Sequence, residues 1–302
     1  MSNADLFRLS PEVAAALDAG RPVVALESTV IAHGLPRPQN LETARRLEAI
    51  VRDAGAMPAT VAIVGGRLSV GLDDAQLELI ATHEGVHKIS RRDLPVAVAR
   101  GWHGATTVAS TIWIAGRAGL KVFATGGIGG VHRGSLPDVS ADLPELARTN
   151  MIVVCSGAKI VLDLPATREW LETYGVTVAG YGCDEMPAFY SRASGLPVDV
   201  RVDSAEEVAA LARARRGLQT EGALLVTVPV PIDAEVSVRD LRRVLDVALA
   251  EAERDAVVGR DLTPFLLARM SARSGGATLR ANVALLENNA RVATEIAVAL
   301  KQ

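Results

Sequence analysis

Apolar residues recur along this chain with two periods, and their alternation sets the architecture. Spacings of three and four predict helices over 9–19, 39–54, 73–84, 94–100, 107–118, 143–149, 165–174, 205–215 and 238–254, the first capped near Ser10 with Pro11 in its opening turn. Between them, short unbroken apolar runs predict buried strands over 22–28, 59–64, 121–125, 151–156, 176–181 and 223–228. After residue 228 the pattern is helical only, with 263–271 and 279–300 separated by Gly275 and Gly276. Strands that alternate with helices and read as continuously apolar belong to a largely buried sheet, so the fold class is α/β with a helical C-terminal segment. Nothing repeats and no linker exceeds a loop, so 1–302 reads as a single domain.

Composition narrows the chemistry. Hydrophobic residues make up 49% of the 302 but aromatic ones only 3%, so the core is built from Ala, Val, Leu and Ile, as suits helices laid on a sheet. A formal charge of -3 without a basic tract argues against a nucleic-acid partner and for a small-molecule substrate. The N-terminal residues carry no basic-then-apolar leader and no apolar run reaches about 18 residues, which predicts neither export nor membrane insertion. Cys155 and Cys183 are too few for a disulfide framework, and a reducing cytoplasm is the expected compartment.

Lysine usage then singles out one position. Only four of 302 residues are lysine, against 28 arginines, yet Lys159 sits inside the apolar run 151–164. Arginine stays protonated, whereas a buried lysine can lose its proton and act as an amine nucleophile. Moving its pKa from about 10.4 to about 7 takes roughly 4 to 5 kcal/mol and leaves half the amines neutral. The alternative is a lysine that snorkels or pairs with Asp163. Glu27 ends the run 23–26, placing a carboxylate at the carboxyl end of a buried strand, where open α/β sheets bind ligands. Burial there raises its pKa and makes it a proton donor; capping the next element or pairing with an arginine are the alternatives.

Other segments offer binding groups. Residues 126–134 hold five glycines after a strand, as an anion-binding loop or a flexible turn would, but match neither the dinucleotide fingerprint nor the P-loop. Asp138 and Asp142 flank a serine in a loop, as ligands for a hard divalent cation or as solvated turn residues. Lys88, beside two arginines, reads as a phosphate contact or a solvated basic turn. Residues 103–108 place hydroxyls and amides at a helix start, an anion site or a cap. His83 and His87 alone have a zinc-like spacing, and a glycine lies between them.

The order of these motifs, from Ala25–Thr29 and His33–Gln39 through Lys88–Leu94, Gly104–Val108, Ala124–Gly134, Ser140–Leu143, Ser156–Lys159, Pro187–Tyr190 and Thr263–Leu267 to Gly275–Asn282, resembles the pseudouridine-5'-phosphate glycosidase family, also called indigoidine-synthase-A-like. The resemblance covers almost the whole chain. It implies a three-layer α/β/α core, a homotrimer, and reversible cleavage of the C-glycosidic bond of pseudouridine 5'-phosphate to uracil and ribose 5-phosphate, with a divalent cation, manganese foremost. By the same resemblance Lys159 attacks C1' to give a ring-opened ribose that hydrolyses as a Schiff base, and Glu27 supplies the proton. It also implies substrate contacts from Lys88, Thr107, Val108, His132, Ser140, Ala141, Asp142 and Asn282, with Asp138 at the metal through few direct protein bonds.

Three departures stand out against the family pattern. The segment 133–138 is shorter than in many relatives, which bears on the metal loop. Val228 stands where a polar residue is usual, and Cys183–Asp184 follows Tyr181 without the common Thr; a changed base preference is the expected consequence. Two other readings keep the fold: action on a different riboside phosphate, as in indigoidine pathways, or a sugar-phosphate sensor in which Glu27 and Lys159 form an ion pair.

Overall fold

The structure, a computed structural model, describes residues 6–134 and 138–301. Residues 1–5, Gln302 and, within the segment 133–138 that the sequence reading compared with the family, residues 135–137 lie outside the described residues.

Among the described residues thirteen short strands form in chain order: β1 (Phe7–Leu9), β2 (Val23–Leu26), β3 (Met57–Val64), β4 (Arg67–Val70), β5 (His87–Ile89), β6 (Gly104–Thr106), β7 (Val122–Ala124), β8 (Val131–His132), β9 (Ile152–Cys155), β10 (Leu162–Asp163), β11 (Thr177–Tyr181), β12 (Val200–Val202) and β13 (Leu224–Thr227). Eleven of them make one sheet in the order β1-β4-β3-β2-β7-β9-β13-β11-β12, with β6 joined to β3 and β5 to β6. From β2 to β12 every pairing is parallel, while β4 and β6 run antiparallel to β3. Strands β2, β7, β9 and β13 are buried at every position, which is why they read as unbroken apolar runs.

The chain leaves β2 to one side, toward β3, and later returns to pair β7 on the other side of β2. Such a reversal opens a crevice at the carboxyl ends of the flanking strands. It could not be read from the sequence, because period and burial carry no sheet order.

The predicted helices form with small shifts. Leu9 belongs to β1 instead of the first helix, which runs Pro11–Asp18; Ser10 caps it by accepting the Val13 amide at 3.2 Å. Strands β4, β5, β6 and β12 were not expected, being three or four residues long and broken by Ser, Lys, Gly or Arg. The C-terminal helix Ala277–Ala299 lies on β2, β7 and β9, beside the helix Gln39–Asp53. Asn289 anchors it there, its amide nitrogen donating to the Thr125 carbonyl (2.9 Å) and to Ser156 Oγ (3.1 Å) just beyond β7 and β9. No described helix is long and apolar enough to cross a membrane.

Candidate active site

At the reversal point the chain turns from β2 into Glu27, Ser28 and Thr29. Ser28 is fully buried and satisfied: its hydroxyl donates to the Val61 carbonyl (2.6 Å) and accepts the Thr106 amide (2.8 Å). Thr106 donates its own hydroxyl to Val61 (2.7 Å) and meets the Thr111 hydroxyl at 2.9 Å. A closed polar network of this kind has one low-energy arrangement. It ties the ends of β2 and β6 to the middle of β3 and so aims Glu27 on one side and Thr107 on the other.

Both residues reach a cavity of about 360 Å³, within the range of small-ligand sites. Glu27 accepts a hydrogen bond from the Thr125 hydroxyl. Burial pushes its carboxyl above the usual range, and the opposing pull of the Lys159 charge and the Thr125 hydroxyl does not reverse that shift. Among the described residues no arginine pairs with Glu27 and no backbone amide donates to its carboxylate, so neither the arginine pair nor the cap finds a partner.

Lys159 follows β9 and lines the same cavity, its Nζ donating to the Gly127 carbonyl at 2.8 Å. Asp163 is not its partner, for that carboxylate caps the helix Leu164–Thr173 by accepting the Ala166 amide at 3.0 Å. The glycine loop serves close approach more than anion capture. Gly127 has the Phe189 ring where a Cβ would sit, 2.6 Å away, and Gly129 has Ser140 Oγ at 2.3 Å. The amides of Ile128 and Gly129 are spent on the Gly157 carbonyl and on Asp142.

The remaining predicted residues converge on the cavity: Lys88, Thr107, Val108, His132, Asp138, Ser140, Ala141, Asp142 and Asn282 all line it. Lys88 is on β5 and half-buried, not in a solvated turn; burial pushes its ammonium below the usual range, with the Lys159 charge adding to the effect. Thr107 stands at the N-cap of the helix Val108–Arg117 without a side-chain cap bond. His132 is on β8, and burial pushes its imidazole down against the pull of Asp138.

The two aspartates divide their roles. Asp138 is exposed at the cavity, whereas Asp142 is only 6% exposed, and its two oxygens accept the Ala109 and Gly129 amides, each at 2.8 Å. It thus ties the helix start to the glycine loop. Asp142→Asn leaves one amide facing an NH2 group, and an unsatisfied buried donor costs about 1–3 kcal/mol; a loss of that size in denaturant unfolding is the expected result.

Asn282 is 6% exposed and, unlike Asn40 and Asn289, its amide meets no hydrogen-bond partner among the described residues. An interior amide is normally partnered, so one left open toward a cavity has hydrogen-bonding capacity to spare. It lies seven residues before Asn289, two turns along the same helix face.

No group of three or more His, Cys, Asp or Glu among the described residues is arranged to hold a metal. Asp138 alone suits a hard cation that keeps most of its waters, and not a zinc-type cage. His83 and His87 make no pair: His83 Nδ1 accepts the Gly85 amide and its ring meets His103, while His87 stacks on Trp102 with centroids 4.0 Å apart. Val228 and Cys183 do not line the cavity, and Asp184 is paired with Arg201. The expectation that these departures change base preference is therefore not supported by contact.

His33, Ser90, Arg92, Phe189 and Thr263 also wall the cavity, though the sequence reading gave them no roles. Some sit inside the quoted motifs, but only the fold turns them toward one space.

Residues 12–299 match the family described as "Indigoidine synthase A like protein". The chain is 53% identical to the pseudouridine-5'-phosphate glycosidase of Methylobacterium nodulans over 98% of this chain and 88% of that protein. It is 50% identical to the one from Escherichia coli, over 97% and 95%. Among solved structures it resembles the prealnumycin C-glycosynthase AlnA in complex with ribulose 5-phosphate, with a TM-score of 0.90, 43% identity and coverage of 98% and 97%. It also resembles an indigoidine synthase A-like protein from Thermotoga maritima, with a TM-score of 0.88, 40% identity and coverage of 94% of both chains. Matched along nearly its whole length, the chain belongs to the indigoidine synthase A-like family.

Proposed function

We propose that this protein reversibly cleaves the C-glycosidic bond of pseudouridine 5'-phosphate to uracil and ribose 5-phosphate. The observation that carries the reading is the pairing, in one cavity, of a lysine amine with a carboxyl group whose pKa burial raises. Relatives at 50–53% identity named for this activity support it.

A carbon leaving group has no lone pair to protonate, so the two-carboxylate route of ordinary glycosidases lacks its handle. An amine supplies another. Lys159 Nζ bonds to C1' as the C1'–O4' bond breaks, and O4' takes the proton that the alkylated nitrogen gives up. Glu27 then gives its proton to the uracil carbon as the C1'–C bond breaks toward that carbon, and the Nζ lone pair closes a C=N bond to C1'. Water hydrolyses this Schiff base, freeing ribose 5-phosphate and the amine. Lys88, His132, Ser140 and the amides near Thr107 and Val108 bind the substrate, and Asn282 contacts its base or ribose.

A divalent cation, manganese foremost, would be held by Asp138 and water; when bound it offsets phosphate charge. The protein works as a homotrimer in the cytoplasm, the first of which light scattering checks. Incubation with pseudouridine 5'-phosphate, with and without manganese, should release uracil. Chelation should lower the rate, and Asp138→Ala should raise the manganese concentration needed for half-maximal turnover. Absence of uracil under either condition removes the substrate assignment.

A further inference from the structure

His33 belongs to neither the nucleophile nor the acid of this site, yet its surroundings are those of a ligand contact. It lies on a π-helical turn, Val30–Gly34, six residues after Glu27, and π-turns of this kind are frequent at functional sites. Its ring lines the cavity while Nε2 is buried and makes no hydrogen bond. The nitrogen left open to the cavity is therefore Nδ1. The helix Leu262–Arg273 packs against this turn, and Asp261 at its start, Lys88 on β5 and the backbone of His87 are the groups that act on the ring.

We propose that His33 contacts the substrate directly, its Nδ1 accepting a hydrogen bond from a hydroxyl of the sugar.

Two considerations choose the hydroxyl. Burial first, and the Lys88 charge second, push the imidazole below its usual range, so at neutral pH the ring carries one proton. With that proton on the inner nitrogen, toward protein, Nδ1 presents a lone pair. Phosphate oxygens and uracil carbonyls are acceptors and cannot answer it, whereas a sugar hydroxyl can. The base N–H is the other donor available, but Lys88 beside the ring draws the phosphoryl group and with it the sugar.

The inference rests on the sugar-phosphate reading above, and its test separates the two. Cleavage is measured for pseudouridine 5'-phosphate and its 2'-deoxy, 3'-deoxy and N3-methyl analogues with the parent protein, His33→Ala and His33→Gln. Binding of ribose 5-phosphate and of 2- and 3-deoxyribose 5-phosphate is measured alongside by calorimetry. His33→Ala should lower kcat/KM, and affinity for ribose 5-phosphate, on the order of tenfold, and the loss should vanish on the one analogue lacking the partner hydroxyl. His33→Gln, which keeps an acceptor, should recover part of it. Equal losses on all three nucleotide analogues, or a loss that vanishes only on the N-methyl base, would overturn the assignment. Ribose 5-phosphate binding that follows the hydroxyl pattern without any cleavage would sink the enzymatic reading and leave the contact standing.

Discussion

Lys159→Ala and Lys159→Arg should each lower the release of uracil by about 10⁴-fold or more, the scale seen when a covalent nucleophile is removed. Arginine is the informative variant. It keeps the positive charge and can still donate to the Gly127 carbonyl that now receives Nζ at 2.8 Å, but it cannot form a C=N bond to a sugar carbon. If the lysine only steered a phosphate, arginine would retain much of the activity. Borohydride added with ribose 5-phosphate should fix the sugar on the parent protein, with the mass gain on the peptide bearing Lys159, and should leave both variants unlabelled. Turnover by Lys159→Arg, or labelling of that variant, would sink the nucleophile assignment, and an unlabelled parent would favour the sensor reading.

The alternation of helix and strand, the helical ending and the candidate residues were legible because each leaves a local mark. Lys159 was visible as an ammonium in an apolar run, and Glu27 as a carboxylate closing one. What stayed hidden depends on neighbours distant in sequence. Beside Arg91 and Arg92, Lys88 left a phosphate contact and a solvated turn both open; β5 pairs with β6 and carries it to the cavity, while Arg91 turns away to Glu145 at 2.6 Å. Asp142 read as a ligand or a solvated turn residue; each of its carboxylate oxygens also accepts an amide, from segments 13 and 33 residues away. The glycines after β7 looked suited to anions, and several exist because Phe189 and Ser140 leave no room for a Cβ. Strands β4 to β6, too short for periodicity to register, form the antiparallel flank that brings Thr107 and Lys88 to the site.

Glu27→Gln should separate catalysis from stability. Uracil release should fall about 10²- to 10⁴-fold, since Gln keeps the shape and can accept the Thr125 hydroxyl but has no proton to give to carbon. In the parent, cleavage should decline as pH rises through the raised pKa of Glu27, because the acid form is the reactive one. Stability follows from the same proton. The unfolded carboxyl titrates near 4.5 and the folded one above it, so between these values the folded state holds a proton that the unfolded state has released. Bound protons then favour folding less at each step upward, and stability falls with pH across that window, remaining lower above it. Gln has no such proton and escapes the loss. Denaturant titrations from pH 4 to 8 should therefore show Glu27→Gln gaining on the parent as pH rises, with the gain levelling off above the folded pKa. Parallel stability curves over that range would mean that the carboxyl titrates as it does in water, and Glu27 would lose its claim to be the acid.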